Sequence, residues 1–228
     1  MNKVLVVVAH SDDETLGMGA TIARHYAQGD EVRLIVMTNG VSARKNIPED
    51  IKTNQDDAKT RRNSLKQVAN ILGISQIYQF ELPDNQMDNV PLLKVVQTIE
   101  SVIEAYPAEI IYTHSSTDLN IDHSITHQAV ITACRPQPQS SVKKIFSFEV
   151  RSATEWQASS KQQFIANYFT DVTDFMDKKI QALNCYPEEL REFPHSRSIE
   201  AIQAHAITRG TSVGIAKAEA FYVERIIN

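Results

Sequence analysis

The stretch "VLVVVAHSDDETLGMG", Val4 to Gly19, decides the reading of this chain. The apolar run Val4 to Ala9 has no polar break, which suits a strand covered on both faces, as in a parallel sheet. It stops at His10, Ser11, Asp12, Asp13 and Glu14. Adjacent carboxylates repel each other. A fold concentrates them behind a buried strand chiefly where a proton or a metal ion sits between them.

Working outward, strands and helices alternate. "GMGATIARHYAQG" reads as a helix stopped by Gly29, and "EVRLIVMTNG" as a second strand. The polar segment "VSARKNIPEDIKTNQDDAKT" reads as a loop or a poorly packed helix start. "RRNSLKQVANILGI" then has helical spacing at Leu65, Val68, Ala69 and Leu72. "QIYQFEL" is a third strand closed by the turn "PDNQ", followed by the amphipathic helix "VPLLKVVQTIESVIEAY". "EIIYTHSS" is a fourth strand, "HSITHQAVITACR" a helix and "KKIFSFEV" a fifth strand. In the tail, "NYFTDVT" reads as an edge strand and "DFMDKKIQALNCY" as a helix. "SIEAIQAHAITRGTSVGIAKAEAF" reads as a helical region broken near Gly210. This order implies parallel pairing with right-handed crossovers. With no repeat and no linker, a single domain over residues 1–228 is expected.

In such a sheet, ligands bind beyond the carboxyl ends of the strands, near the switch in strand order. His10, Asp12 and Asp13 follow the first strand. His114, Asp118, Asn120, Asp122 and His123 follow the fourth. The topology sends both groups to one sheet edge. His10 and Asp13, three apart at a turn, with His123 from the second loop, would make a two-imidazole, one-carboxylate set with an open fourth position. That is a common catalytic zinc arrangement, and two imidazoles favour a first-row transition metal over magnesium or calcium. Asp12 would stand beside the metal as a base for its water. Asp122 would orient an imidazole from behind. Asp12 and Asp13 also suit a helix N-terminus, and His123 and His127, at i and i+4, also suit one exposed face.

Composition narrows the class. The chain has 228 residues, 42% hydrophobic, with a net charge of −5. That balance argues against nucleic acid as the main partner. Cys134 and Cys185 are the only cysteines and form no CxxC. No apolar run is long enough to span a membrane, so a cytoplasmic protein is expected.

"AHSDDE" resembles the AHPDDE signature of the PIG-L/LmbE-type deacetylases, and "DLNIDHSITHQAV" resembles that family's second motif, HPDHxxxH. The resemblance extends through "RRNSLKQVANILG" and "RGTSVGIAKAEAF". It implies a Rossmann-like three-layer α/β fold with a mostly parallel sheet flanked by helices. It also implies zinc-dependent hydrolysis of N-acetyl groups on sugar-containing substrates, with Fe2+ as an alternative metal, and a homo-oligomer. By resemblance, His10, Asp13 and His123 match the metal ligands and Asp12 the general base. Asp122 matches the acidic residue of the second motif, and Arg61 a substrate-contacting arginine. Two positions depart from the pattern: Ser11 replaces a proline, and Asn120 replaces the first histidine of HPDH. Asn can donate a hydrogen bond but cannot act as an acid. That role either shrinks to oxyanion binding by Asn120 or moves to another histidine, His114 or His195. Arg44, Lys45, Arg191 and Arg197, in polar loops, are candidates for contacting an anionic part of the substrate.

Two other classes compete. One is a non-catalytic nucleotide- or sugar-binding module, for which the lone GxG at Gly17 and Gly19 is weak support. The other is a phosphorylatable signalling domain, which would use paired acids but needs neither His10 nor the histidine-rich second loop. Metal content distinguishes them.

Overall fold

The computed structural model describes residues 1–38 and 51–228, with the side chains of residues 51–58 outside that description. The expectations for Arg44 and Lys45 therefore fall outside the described residues.

A seven-stranded sheet runs in the order β3-β2-β1-β4-β5-β7-β6. Its strands are β1 (Lys3–Val8), β2 (Glu31–Thr38), β3 (Ile74–Leu82), β4 (Ile110–His114), β5 (Lys144–Phe148), β6 (Tyr168–Asp171) and β7 (Ala218–Ile226). The helices are α1 (Asp13–Ala27), α2 (Ile51–Leu72), α3 (Leu92–Ala105), α4 (Ile121–Ala133), α5 (Met176–Leu183) and α6 (Ile199–Thr211). β1 pairs in parallel with β2 on one side and β4 on the other, so the strand order switches between β1 and β4.

The continuous apolar run is explained by its place at the centre. Val4, Val6 and Val8 pack with Leu16, Ile22, Leu65 and Leu72 of α1 and α2. Leu5 and Val7 face the opposite way, onto Val95, Ile99 and Val130 of α3 and α4. Each of these side chains is fully buried, and each contributes about 1.5–3 kcal/mol relative to exposure. The result is three layers, helix, sheet and helix, as expected.

The structure corrects the sequence reading in two places and decides between its alternatives in a third. Residues 218–221, read as the end of a helical region, form the start of β7, which lies antiparallel between β5 and β6. Alanine and lysine favour helix, but strand pairing on both sides overrides that local preference. Of the two readings given for the segment before Arg61, a loop or a helix start, the second applies from Ile51 onward. The helix expected from Gly17 begins at Asp13 but carries a break at Met18 (φ −149°, ψ 27°).

Two buried charges fill that break. Lys179 of α5 donates to Leu16 O at 2.8 Å, while Glu219 of β7 accepts from Ala20 N (3.2 Å) and Thr21 N (2.7 Å). The two side chains meet at 2.6 Å. The backbone groups left unpaired by the break thus find charged partners. Gly17 has a packing reason instead of a phosphate-binding one: a Cβ there would lie 2.3 Å from the Phe148 ring.

Lys179→Met leaves the Glu219 charge buried without its partner. It is expected to lower stability by about 3–5 kcal/mol, read as a fall in urea midpoint at unchanged m-value.

Candidate metal centre and active site

The segments after β1 and β4 converge at the switch in strand order. Three donor atoms form a near-equilateral triangle: His10 Nδ1 to Asp13 Oδ2 is 3.2 Å, His10 Nδ1 to His123 Nε2 3.3 Å, and His123 Nε2 to Asp13 Oδ2 3.3 Å. Around a tetrahedral transition-metal ion, with bonds of about 2.0–2.1 Å, donors stand about 3.3 Å apart. The triad therefore fits such an ion without rearrangement. All three residues are buried.

The far nitrogen of each imidazole faces a carboxylate. His10 Nε2 lies 3.1 Å from both Asp122 Oδ2 and Asp84 Oδ1, and His123 Nδ1 lies 3.2 Å from Asp118 Oδ1. A carboxylate behind the ring fixes the tautomer and raises the basicity of the nitrogen that ligates. His10, Asp84 and Asp122 could also be grouped as a cation site. Asp122, however, is committed to the backbone, its Oδ2 accepting from Asn85 N at 2.6 Å and its Oδ1 from Met87 N at 3.0 Å. It positions His10, the ring across the site, and not His123, its neighbour in sequence.

The field of these acids favours positive charge. Burial opposes protonation of His10, yet Asp122, Asp13 and Asp84 hold it well above the usual histidine range. Burial likewise opposes the charge on His123, and Asp13 and Asp118 overcome it, raising it to about 9. Burial works against the Asp13 carboxylate too, but His123 and His114 hold it well below its ordinary value. What favours protons here favours a divalent cation in their place.

Asp12 is set apart from the triad. Its backbone has φ 127°, a conformation costing a non-glycine residue about 1–3 kcal/mol. Its N–H is held by Glu14 Oε2 at 3.0 Å, and Glu14 is in turn fixed by Thr15 and by the Tyr186 hydroxyl. This geometry gives the two adjacent aspartates different partners. Asp13 meets the imidazoles, whereas Asp12 Oδ2 lies 3.2 Å from Arg197 Nη1. Burial first, then the charge of Asp13, pushes the Asp12 carboxyl up to about 7, with Arg197 and Arg61 pulling it back.

A cavity of ≈ 290 Å³ opens over these groups, lined by His10, Asp12, Asp13 and His123. Arg61, Asp84, Asn120, Glu189 and Arg197 also line it. Glu189 bridges two guanidiniums, Arg61 Nη2 on one oxygen and Arg197 Nη1, at 3.0 Å, on the other. Asn120 caps α4, its Oδ1 accepting from Asp122 N at 2.9 Å while its Nδ2 donates to Asn85 Oδ1 at 3.0 Å.

The two alternative histidines lie elsewhere. His114 is fully buried behind the wall, stacked on His123 with ring centroids 3.9 Å apart. Its Nε2 accepts from Ala9 N at 2.9 Å, so substrate cannot reach it in this geometry. The end of a core strand leaves its side chain no route to the cavity. His195 is not in the cavity wall either. Its Nδ1 accepts from Arg197 N at 3.0 Å and its ring meets Trp156. Sequence reasoning missed Asp84 and Glu189. The only signal for Asp84 was its turn after β3, at the same sheet edge.

Residues 5–134 match the family model PIG-L, GlcNAc-PI de-N-acetylase. The chain belongs to this family. Over 175 residues it is 30% identical to the uncharacterized deacetylase YaiS of Escherichia coli (strain K12), covering 73% of this chain and 84% of that one. It is 25% identical over 189 residues to a probable N-acetyl-alpha-D-glucosaminyl L-malate deacetylase 2 of Bacillus anthracis, covering 82% and 80%. The structure of N,N'-diacetylchitobiose deacetylase from Pyrococcus horikoshii has the same fold, with a TM-score of 0.78 at 20% identity over 98% of this chain and 84% of that one. No helix among the described residues is long and apolar enough to cross a membrane.

Asp118→Asn removes the charge behind His123. It is expected to weaken divalent-metal affinity about 10–100-fold, measured by competition with a chromophoric chelator.

Proposed function

We propose that this chain is a zinc-dependent N-deacetylase that removes the acetyl group from an N-acetylglucosamine-type sugar or its conjugate. The observation that carries the reading is the triad: donors 3.2–3.3 Å apart, each imidazole backed by a carboxylate, with Asp12 unligated beside them. The family's description and the deacetylase relatives support the reaction class. Two nitrogens and one carboxylate oxygen suit zinc, and suit Fe2+ as the alternative.

His10, Asp13 and His123 would hold the ion, which would supply a Lewis acid and lower the pKa of a water to about 7. Asp12 takes the proton of the attacking water. Burial raises its affinity for that proton, while Arg197 and Arg61 keep the carboxylate form accessible. Arg197, itself held by Glu189, holds the Asp12 carboxylate in place. As the C–N bond breaks, Asp12 returns the proton to the leaving amine, so acetate and a free amino sugar depart. Asp122 holds His10 in the tautomer that leaves Nδ1 free to ligate. Asn120 uses one amide N–H on Asn85, and the other is available to the substrate's acetyl oxygen or a hydroxyl. Arg61 stays charged in the cavity wall and contacts the sugar from the side of α2. Residues 1–228 act as one catalytic unit, because the site draws on segments from His10 to Arg197.

The test is acetate release from N-acetylhexosamines and their conjugates by the zinc-loaded protein. Asp12→Asn is expected to keep its zinc and lose about 10²–10⁴-fold in kcat. Unchanged turnover with zinc bound would refute the base assignment. His123→Ala is expected to lose the zinc itself, measured by metal analysis of the purified variant; full occupancy would show that the ligand set is wrong.

A further inference from the structure

Trp156 is the chain's only tryptophan, and it is 53% exposed. It ends a single 3₁₀ turn, Thr154–Trp156, just beyond Ser152 and Ala153 in the cavity wall. One exposed aromatic residue alone means little, but this one is braced from two sides. Thr154 Oγ1 donates to Asp118 Oδ2 at 2.5 Å, and Gln157 Nε2 reaches Thr117 O and Asp118 O at 3.4 Å. On the other side the His195 ring meets the indole edge-on, with centroids 5.5 Å apart and planes at 78°. The two bracing loops are the ones that contribute Leu119 and Arg197 to the cavity wall. Leu119, itself 53% exposed, extends the apolar rim.

The cavity, ≈ 290 Å³, lies at the small end of small-molecule pockets, which run from about 300 to 1,000 Å³. It has room for one sugar ring. Anything joined to that ring by a glycosidic bond must lie outside, at the rim. A pyranose offers C–H groups on its faces, and the indole offers an electron-rich face held at low conformational cost. Asn120 and Ser152 stand beside Leu119 and Ala153 in the wall, which suits a ring with polar edges better than an acyl chain.

Resting on the deacetylase reading above, we propose that Trp156, aided by Leu119, forms a second subsite that stacks on the sugar ring glycosidically attached to the one losing its acetyl group. His195 takes part as the support that holds the indole in place.

The test compares N-acetylglucosamine with N,N'-diacetylchitobiose in the zinc-loaded wild type, Trp156→Ala and Trp156→Phe, with metal content measured in each. In Trp156→Ala, the kcat/KM preference for the disaccharide is expected to fall about three- to tenfold, carried by KM, and Trp156→Phe is expected to restore most of it. In the metal-free wild type, emission from this sole tryptophan is expected to shift with the disaccharide and much less with the monosaccharide. An equal loss on both sugars, or an unmoved emission under saturating disaccharide, would overturn the subsite. An octyl glycoside of N-acetylglucosamine that depends on Trp156 while the disaccharide does not would overturn the sugar assignment. Failure of the wild type to release acetate from either sugar would count against the deacetylase reading, and the fluorescence titration would still decide whether the rim binds a disaccharide.

Discussion

The constraint on which the rest depends is electrostatic. Asp12, Asp13, Asp84, Asp118 and Asp122 are all buried within one small region at the sheet edge. Such a concentration of carboxylates is stable only if positive charge is distributed among them. Arg197 serves Asp12, and the imidazoles serve Asp13, Asp84, Asp118 and Asp122. The imidazoles can do so as protonated rings or, through their inner nitrogens, around a cation. The adjacent acids after β1 are therefore not one repelling group. The strained backbone at Asp12 sends each to a different partner, one to the imidazoles and one to a guanidinium.

The second consequence concerns rigidity. Asp122 binds His10 with the oxygen that also accepts from Asn85 N, and its other oxygen accepts from Met87 N. The loop after β3, the loop after β1 and the first turn of α4 are thereby joined through one carboxylate. Asn120 adds to the joint by capping α4 and bonding Asn85. This gives a physical reason for asparagine at this position: its side chain both accepts and donates, and each function is used to close the site.

The fold was largely legible because its central strand is a continuous apolar run and because turn residues separate the elements. The triad was legible for a related reason. Residues that follow parallel strands share one edge, and because β1 and β4 are neighbours in the sheet, His10 and His123 meet there. Partners across the site were not legible. Asp122 was expected to serve an imidazole, but adjacent residues on a helix point in different directions, so its ring is His10 and the partner of His123 is Asp118. The role of Arg197 depends on a loop returning 185 residues later to meet Asp12, and no local pattern encodes that meeting. The C-terminal strand was hidden because its letters suit a helix and only its neighbours make it a strand.

Asp118 links the two halves of the site. Its Oδ1 accepts from Asn120 N and faces His123 Nδ1, while its Oδ2 accepts from Thr154 Oγ1. One buried side chain thus orients an imidazole of the triad and anchors the turn that carries Trp156. The Thr154 turn and the His123 ring therefore share one carboxylate, which joins the rim to the ring beneath it. Burial strengthens this coupling, since at 3% exposure Asp118 has little water to replace a lost partner.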